Sequence, residues 1–347
     1  MALPFQPPLA PMLAQLQPDI PEGAGWLYEP KWDGFRAVVF RDGDTVQLVS
    51  RNGQPLERYF PELVGWLHDA LPRACVVDGE IVIAGRESLD FDALLQRIHP
   101  APSRIAKLSR ETPATFVAFD ILALAHSDLR KRRFVERRAI LEEAVRFDAH
   151  VLLTPQTHDA RVARQWFERF EGAGLDGIVA KREDDAYTEG ERVMVKVKHE
   201  RTADCIVGGY RDYKGGGVGS LLLGLYDPDG VLQYVGSTSA FTAQQRRELK
   251  EKLAPLEGGH SFGEGRAPGG PSRWSQRRDQ SWTPLTPKLV CEVKFDHLQG
   301  DRFRHAARFL RWRPDKEPKD CTFDQLRPPW PFRLSELPGV APVAGTM

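Results

Sequence analysis

The stretch Glu29-Pro30-Lys31-Trp32-Asp33-Gly34-Phe35-Arg36 places one lysine between two carboxylates, directly ahead of an apolar run. A lysine amine is a covalent nucleophile only when partly deprotonated, which calls for a neighbouring cation or removal from water. Taken alone, Lys-x-Asp-Gly needs no more than a charged residue before a hairpin. A hairpin is what the flanking sequence predicts. Gly34 to Arg41 and Thr45 to Ser50 read as strands, joined by the turn residues Asp42-Gly43-Asp44.

Outward from the hairpin, residues 1–22 are rich in Pro and short apolar residues and read as an extended arm on the first domain. Tyr59 to Leu71 carries Leu63, Trp66, Leu67 and Ala70 at helical spacing. Phe91 to Ile98, Phe134 to Phe147 and Ala160 to Gly172 read as further helices. The basic run Arg130-Lys131-Arg132-Arg133 is assigned to the second of these and read as solvated. Strands are predicted at Cys75 to Ala84, interrupted by Asp78-Gly79-Glu80, and at Thr115 to Leu124, with Asp120 its single acid. Leu175 to Lys181 and Val193 to Lys198 complete the first domain, 1–199.

The composition then shifts. Ala203 to Tyr210, Ser220 to Tyr226 and Leu232 to Ser237 are short strands spaced by Gly-rich turns, followed by a helix from Thr242 to Leu253. Residues 257–282 read as a long surface loop, and strands return at Leu289 to Phe295 and near Phe309 to Trp312. Short strands with one helix fit a small five-stranded barrel of the oligonucleotide-binding type over 200–330. The Pro-rich tail, 331–347, is expected to be poorly ordered.

The 347 residues are 41% hydrophobic and 28% charged, an ordinary soluble composition with no apolar run of membrane-spanning length and no secretory signal. Cys75, Cys205, Cys291 and Cys321 lie far apart without a CxxC pair, which suits a reducing cytoplasm rather than a zinc or disulfide framework. Net charge is zero but unevenly spread: residues 266–316 hold 12 basic side chains against 5 acidic. Such a segment is able to dock on a polyphosphate backbone. Gly215-Gly216-Gly217 with Gly219 lacks the strand–loop–helix setting and following Lys-Ser/Thr of a phosphate loop, and reads as a barrel turn.

Lys31 does not stand alone. Ser50-Arg51-Asn52-Gly53, Asp78-Gly79-Glu80, Phe119-Asp120, Asp176-Gly-Ile-Val-Ala-Lys181, Val195-Lys196-Val-Lys198 and Arg311-Trp-Arg-Pro-Asp-Lys316 follow in order. Lys196 and Lys198 alternate along a strand and so share a face. Glu80 and Asp176 are carboxylates in apolar surroundings, costly unless they bind ribose hydroxyls or a divalent metal.

In that order these segments resemble the covalent nucleotidyltransferases: DNA ligases, RNA ligases and capping enzymes. The closer likeness is to compact bacterial ATP-dependent DNA ligases of the C type and the ligase module of end-joining enzymes, carried by Ser220–Tyr226, Val235–Ser237 and Phe309–Lys316. It covers nearly the whole chain and implies an α+β fold: an ATP-grasp-like nucleotidyltransferase domain of antiparallel sheets with flanking helices, then an OB-fold barrel.

The resemblance implies that Lys31 takes AMP from ATP, with Lys196 and Lys198 facing the α-phosphate and Asp33 positioning metal or a 3′-hydroxyl. It implies Phe119 stacked on adenine, Glu29 near the exocyclic amine, and Arg36 and Arg51 on phosphate or ribose, with Lys181 in the same nucleotide site. Glu80 would touch ribose or metal and Asp176 metal, although most relatives carry Glu at the latter position. Arg311, Arg313, Asp315 and Lys316 would close over the β- and γ-phosphates and then swing away about a linker near Lys198–Asp204. Mg²⁺ or Mn²⁺, nicked or broken duplex DNA, a repair partner such as Ku, a monomeric state and a cytoplasmic, nucleoid-associated location complete the expectation. On this resemblance the DNA-encircling domain of larger ligases is not expected. The rivals are an RNA ligase, a GTP-using capping-type enzyme and a catalytically silent nucleic-acid-binding module.

Overall fold

The structure is a computed structural model that describes residues 3–85, 88–99, 101–263, 281–296 and 298–327, with 268 and 336. The chain divides into two compact units, the first built on Met1–His199 and the second on Glu200–Arg327. The tail expected over 331–347 lies outside the described residues, Glu336 apart, as does much of the 257–282 loop and part of the basic 266–316 segment.

In the first unit the strands are β1 (Leu13–Leu16), β2 (Trp26–Lys31), β3 (Phe35–Asp42), β4 (Thr45–Ser50), β5 (Ala74–Val82), β6 (Thr115–Leu124), β7 (Val151–Leu153), β8 (Gly177–Arg182) and β9 (Arg192–Lys198). The helices are α1 (Pro61–Ala70), α2 (Phe91–Arg97), α3 (Pro102–Glu111), α4 (Phe134–Ala144) and α5 (Ala160–Phe170). One sheet runs β1-β9-β8-β2, with β1 parallel to β9. The other runs β4-β3-β5-β6 and on to the two-residue strand Ser127–Asp128, with β7 parallel to β6.

The period of two explains why the second sheet is apolar throughout. Ala37 and Val39 of β3 pack into one core with Val77, Phe116 and Leu63. Val38 and Phe40 enter another with Val76, Leu122, Met12 and Met194. Both faces are covered, so β3, β5 and β6 read as continuous apolar runs. Met12 and Met194 bring residues of the arm and of β9 into the second of these cores, and the arm is therefore part of the fold.

The basic run Arg130–Arg133 precedes α4 and is not part of it, and Lys131, Arg132 and Arg133 are exposed as expected; Arg130 is half-buried, pairs with Asp128 and Glu189 and stands 3.9 Å from the Phe5 ring centroid, while Arg133 pairs with Glu136 and Asp184. For each of these two arginines one acid is local and the other, Glu189 or Asp184, is distant in sequence. Asp120 is paired too. Its carboxylate is held bidentately by the fully buried Arg137, at 2.8 and 2.9 Å.

Among the described residues the second unit is a six-stranded antiparallel sheet with one α-helix: β10 (Arg201–Asp212), β11 (Val218–Tyr226), β12 (Leu232–Thr238), α6 (Ala243–Leu253), β13 (Val290–Phe295) and β14 (Arg308–Trp312), in the order β12-β11-β10-β13-β14, with the two-residue strand Thr283–Pro284 also paired to β10. Thr242 and Gln245 form a capping box that starts α6. Cys205, Cys291 and Cys321 are buried in this core and Cys75 in the first unit, all as free thiols.

Candidate active site

β2 ends at Lys31, paired in register with Gly177 at the start of β8. Asp176 lies just ahead of β8 rather than within the strand expected from Leu175, because Gly177 turns the chain at φ +138°. Its N–H donates to the Lys31 carbonyl at 2.8 Å. Its carboxylate meets the Lys31 ammonium and, at 2.8 Å, Lys198 Nζ. One carboxylate thus bridges two lysines, one on β2 and one on β9, that are remote from each other in sequence.

On β9 the alternation brings Arg192, Met194, Lys196 and Lys198 to one face, while Val195 and Val197 pack the other way among Tyr28, Ala163 and Ile178. The first face lines a cleft of about 270 Å³, shared with Glu29, Lys31, Arg36, Arg51, Glu80, Phe119 and Lys181. Burial lowers the Lys196 pKa, and Lys198, Lys31, Arg192 and Arg51 lower it further. That mutual repulsion is the mark of a site suited to polyanions.

Arg36 is fixed from below. Asp78, fully buried, accepts from its Nε at 2.7 Å and its Nη2 at 2.6 Å, and its guanidinium carbon stands 4.7 Å from the Phe119 ring centroid. Lys181 Nζ lies 4.7 Å from the same centroid and 4.5 Å from that of Phe134. Glu29 is buried, paired with Lys181 at 2.7 Å, and accepts from Gln156 Nε2 at 3.1 Å; Arg138 Nη1 stands 3.8 Å away.

Glu80 accepts from the Gly34 N–H at 3.2 Å. Burial pushes its pKa up to about 7, against the opposing pull of Lys31 and Arg36; Asp33 and Asp78 add to the rise. Among the described residues no group of three His, Cys, Asp or Glu side chains gathers as a metal cage. A Mg²⁺-like cation commonly takes one or two carboxylates and fills its shell with water and substrate phosphate. Glu80, a desolvated carboxylate on the cleft wall, fits that demand. Asp176 fits less well, since its carboxylate is already shared by two lysines.

Nine of the anticipated residues therefore share one cleft: Glu29, Lys31, Arg36, Arg51, Glu80, Phe119, Lys181, Lys196 and Lys198. Asp176 reaches it through its lysines. Asp33 is half-buried and is not among the cleft's lining residues. Arg192, Gln156, Arg138 and the role of Asp78 were missed. Arg192 was findable, because it sits on the same alternating face as Lys196 and Lys198.

The ATP dependent DNA ligase domain matches residues 9–198, and the ATP dependent DNA ligase C terminal region matches residues 214–316. The chain belongs to the ATP-dependent DNA ligase family. Over 348 residues it is 53% identical to DNA ligase C1 of Mycolicibacterium smegmatis, covering 97% of this chain and 99% of that one. Over 360 residues it is 49% identical to DNA ligase C of Mycobacterium tuberculosis, covering 98% and 100%. A solved Lig E DNA ligase shares the fold at a TM-score of 0.55 and 20% identity, over 87% of this chain and 99% of that one.

The remaining anticipated residues of this ligase lie in the second unit. Arg313 holds Asp315 with Nε and Nη2, at 3.0 and 2.8 Å, and Asp204 with Nη1 at 2.8 Å. Lys316 Nζ stands 3.9 Å from Asp204, and the exposed Arg311 pairs with Glu292 at 2.6 Å. The Arg313 hydrogen bonds hold the Asp315 pKa down to about 2. Arg313 is therefore engaged by two acids, whereas Arg311 projects outward with a single partner.

Proposed function

We propose that this ATP-dependent DNA ligase works through a lysyl-AMP intermediate on Lys31, and one observation carries the reading: Lys31, Lys196 and Lys198 line a single cleft with Glu29, Glu80 and Phe119. The Lys31 amine, having lost a proton, attacks the α-phosphorus of ATP. A nitrogen–phosphorus bond forms as the bond to pyrophosphate breaks. Lys196, Lys198 and Arg192 stabilise the charge that grows on the phosphoryl oxygens, and their fixed positions mean little reorganisation is needed. The Phe119 face receives the base, and the Glu29 carboxylate accepts from the exocyclic amine of adenine. A guanine oxygen at that point would meet a like charge, so ATP is preferred to GTP.

In the second step an oxygen of a 5′-phosphate at a DNA break attacks the adenylyl phosphorus, and Lys31 leaves and regains its proton. In the third, the 3′-hydroxyl of the adjoining strand attacks the 5′-phosphate and AMP departs. Glu80 would hold Mg²⁺ or Mn²⁺, with Asp176 acting through its lysines or through water, and Asp33 orienting the 3′-hydroxyl. A bound divalent cation supplies Lewis-acid neutralisation of phosphate charge.

The domain reading is 1–199 for adenylation and 200–330 for an OB-type barrel. Five main antiparallel strands and one two-residue strand, with one helix, support the latter. Arg311, Arg313, Asp315 and Lys316 then act on the β- and γ-phosphates by closure about the linker near Lys198–Asp204. DNA contact is largely to backbone phosphate, hence salt-sensitive. The protein acts in repair as a cytoplasmic, nucleoid-associated monomer. Its likeness to the ligase module of end-joining enzymes makes Ku the partner to test by co-sedimentation.

Incubation with ATP and a divalent cation should add the mass of one AMP to the peptide containing Lys31, and GTP should add far less. Lys31→Ala should abolish the adduct without loss of the folded circular-dichroism spectrum. An adduct that persists in Lys31→Ala rejects the assignment. Comparing nicked DNA with nicked RNA as the strand to be sealed tests the RNA-ligase alternative in the same assay.

A further inference from the structure

Below the cleft floor, Tyr187 joins three segments that no local pattern connects. Its hydroxyl donates to Asp78 Oδ2 at 2.5 Å, over a separation of 109 residues, and accepts from the Met12 N–H at 3.1 Å. Asp78 in turn grips Arg36 through Nε and Nη2. The Tyr187 ring is 5% exposed and packs in the core that contains Met12, Val38, Phe40 and Met194.

Met12 is followed by Leu13 and Ala14, which line the cleft, and by Leu16, the register partner of Lys196. A single hydroxyl thus ties the arm beside Lys196 to the carboxylate beneath Arg36. Asp78 has no solvent to satisfy it, so its orientation depends on these donors. Burial and the Asp78 charge hold the Tyr187 pKa well above its ordinary value, and the hydroxyl therefore stays a donor.

We propose that Tyr187 is a positioning residue for nucleotide capture: it locks Asp78 so that the Arg36 guanidinium is presented over Phe119 to the bound nucleotide, and it fastens the arm against the same cleft. The proposal rests on the lysyl-AMP reading above. It makes Tyr187 act through Arg36, without touching substrate.

The test is a cycle of four full-length proteins: wild type, Tyr187→Phe, Arg36→Ala and the double variant. ATP affinity is measured by calorimetry and adduct formation by single-turnover mass change. Tyr187→Phe keeps the ring and its packing. It should weaken ATP binding by about tenfold in the wild-type background and by less than about twofold once Arg36 is gone, the non-additivity expected of residues in one network. A purely structural tyrosine would cost the same factor in both backgrounds. That result, or unchanged affinity in Tyr187→Phe, overturns the proposal. If Tyr187→Phe does not fold, 4-aminophenylalanine at position 187, which keeps the ring and donates a weaker hydrogen bond to Asp78, takes its place in the cycle, with a smaller loss expected in the wild-type background and none once Arg36 is gone. Wild type that forms no Lys31 adduct would reject the lysyl-AMP reading itself, whereas a normal wild-type adduct with an additive cycle rejects only the role of Tyr187.

Discussion

Glu80 lies where a carboxylate is costly to the nucleotide-free protein. Burial raises its pKa to about 7 despite Lys31 and Arg36. A carboxyl group whose pKa is higher in the folded than in the unfolded chain stabilises the fold below its unfolded value. That contribution is lost as pH rises through the folded value, here between the ordinary 4.5 and about 7. The fold should therefore weaken across that window by about 2 kcal/mol from this group alone. Glu80→Gln, similar in shape but uncharged, should remove the slope. Denaturant midpoints at pH 5 and pH 8 in chelator should converge for the variant and diverge for the wild type, while adduct formation falls. Identical slopes in both proteins would clear Glu80 of this role. At this scale the residues that line the cleft were legible because the chemistry expected of such a site fixes their types: a lysine in Lys-x-Asp-Gly, acids among apolar neighbours. Their supports were not. Tyr187 donates to Asp78, and Gln156 to Glu29 over 127 positions, and nothing local marks either pair.

Elements were read well where local chemistry punctuates them and poorly where long-range pairing does. The hairpin strands β3 and β4 flank Gly43 at φ +63°, as the turn residues imply, and β6 spans Thr115–Leu124 as its apolar run does. The helix α3 went unread because its apolar stripe is only one turn long, Ile105 buried and Leu108 half-buried in an otherwise polar segment. The strand β1 is four residues long and exists only by parallel pairing with β9, across nearly the whole unit. Glycine enters at the element scale where strands must touch. A Cβ on Gly34 would lie 2.1 Å from the Ile81 carbonyl, and one on Gly177 2.0 Å from that of Val197. Gly177 also has φ +138°, strained for any side chain. Gly177→Ala must part β8 from β9, the strand that carries Lys196 and Lys198, and disturb the Asp176 bridge between Lys198 and Lys31. A loss of about 2–4 kcal/mol in folding stability is expected, with adduct formation reduced even at temperatures where the variant remains folded. Normal adduct kinetics in folded Gly177→Ala would separate strand spacing from catalysis.

For the whole molecule, zero net charge conceals a division of labour that the reading of separate motifs only partly exposes. Cations gather in the cleft of the first unit, whereas in the second Arg313 is bound to Asp204 and Asp315. The three chemical steps make different demands on these groups. Only the first expels pyrophosphate, so only the first needs charge on the β- and γ-phosphates. On the proposed reading, sealing of a nick that already carries AMP would still draw on Lys196, Lys198 and a grip on DNA. Asp315 is exposed, and the Arg313 hydrogen bonds hold its pKa down to about 2, which fits an anchor for Arg313 better than a proton carrier. Asp315→Ala, by releasing Arg313, and Lys316→Ala, by removing a cation, should each slow self-adenylation by about tenfold or more. Sealing of a pre-adenylated nick should fall by less than about threefold, because no pyrophosphate leaves in that step. Rapid-quench measurement of the two reactions on the same preparations decides the point. Equal losses in both would mean that the segment serves DNA binding or the stability of the second unit, and that closure on ATP is not its task.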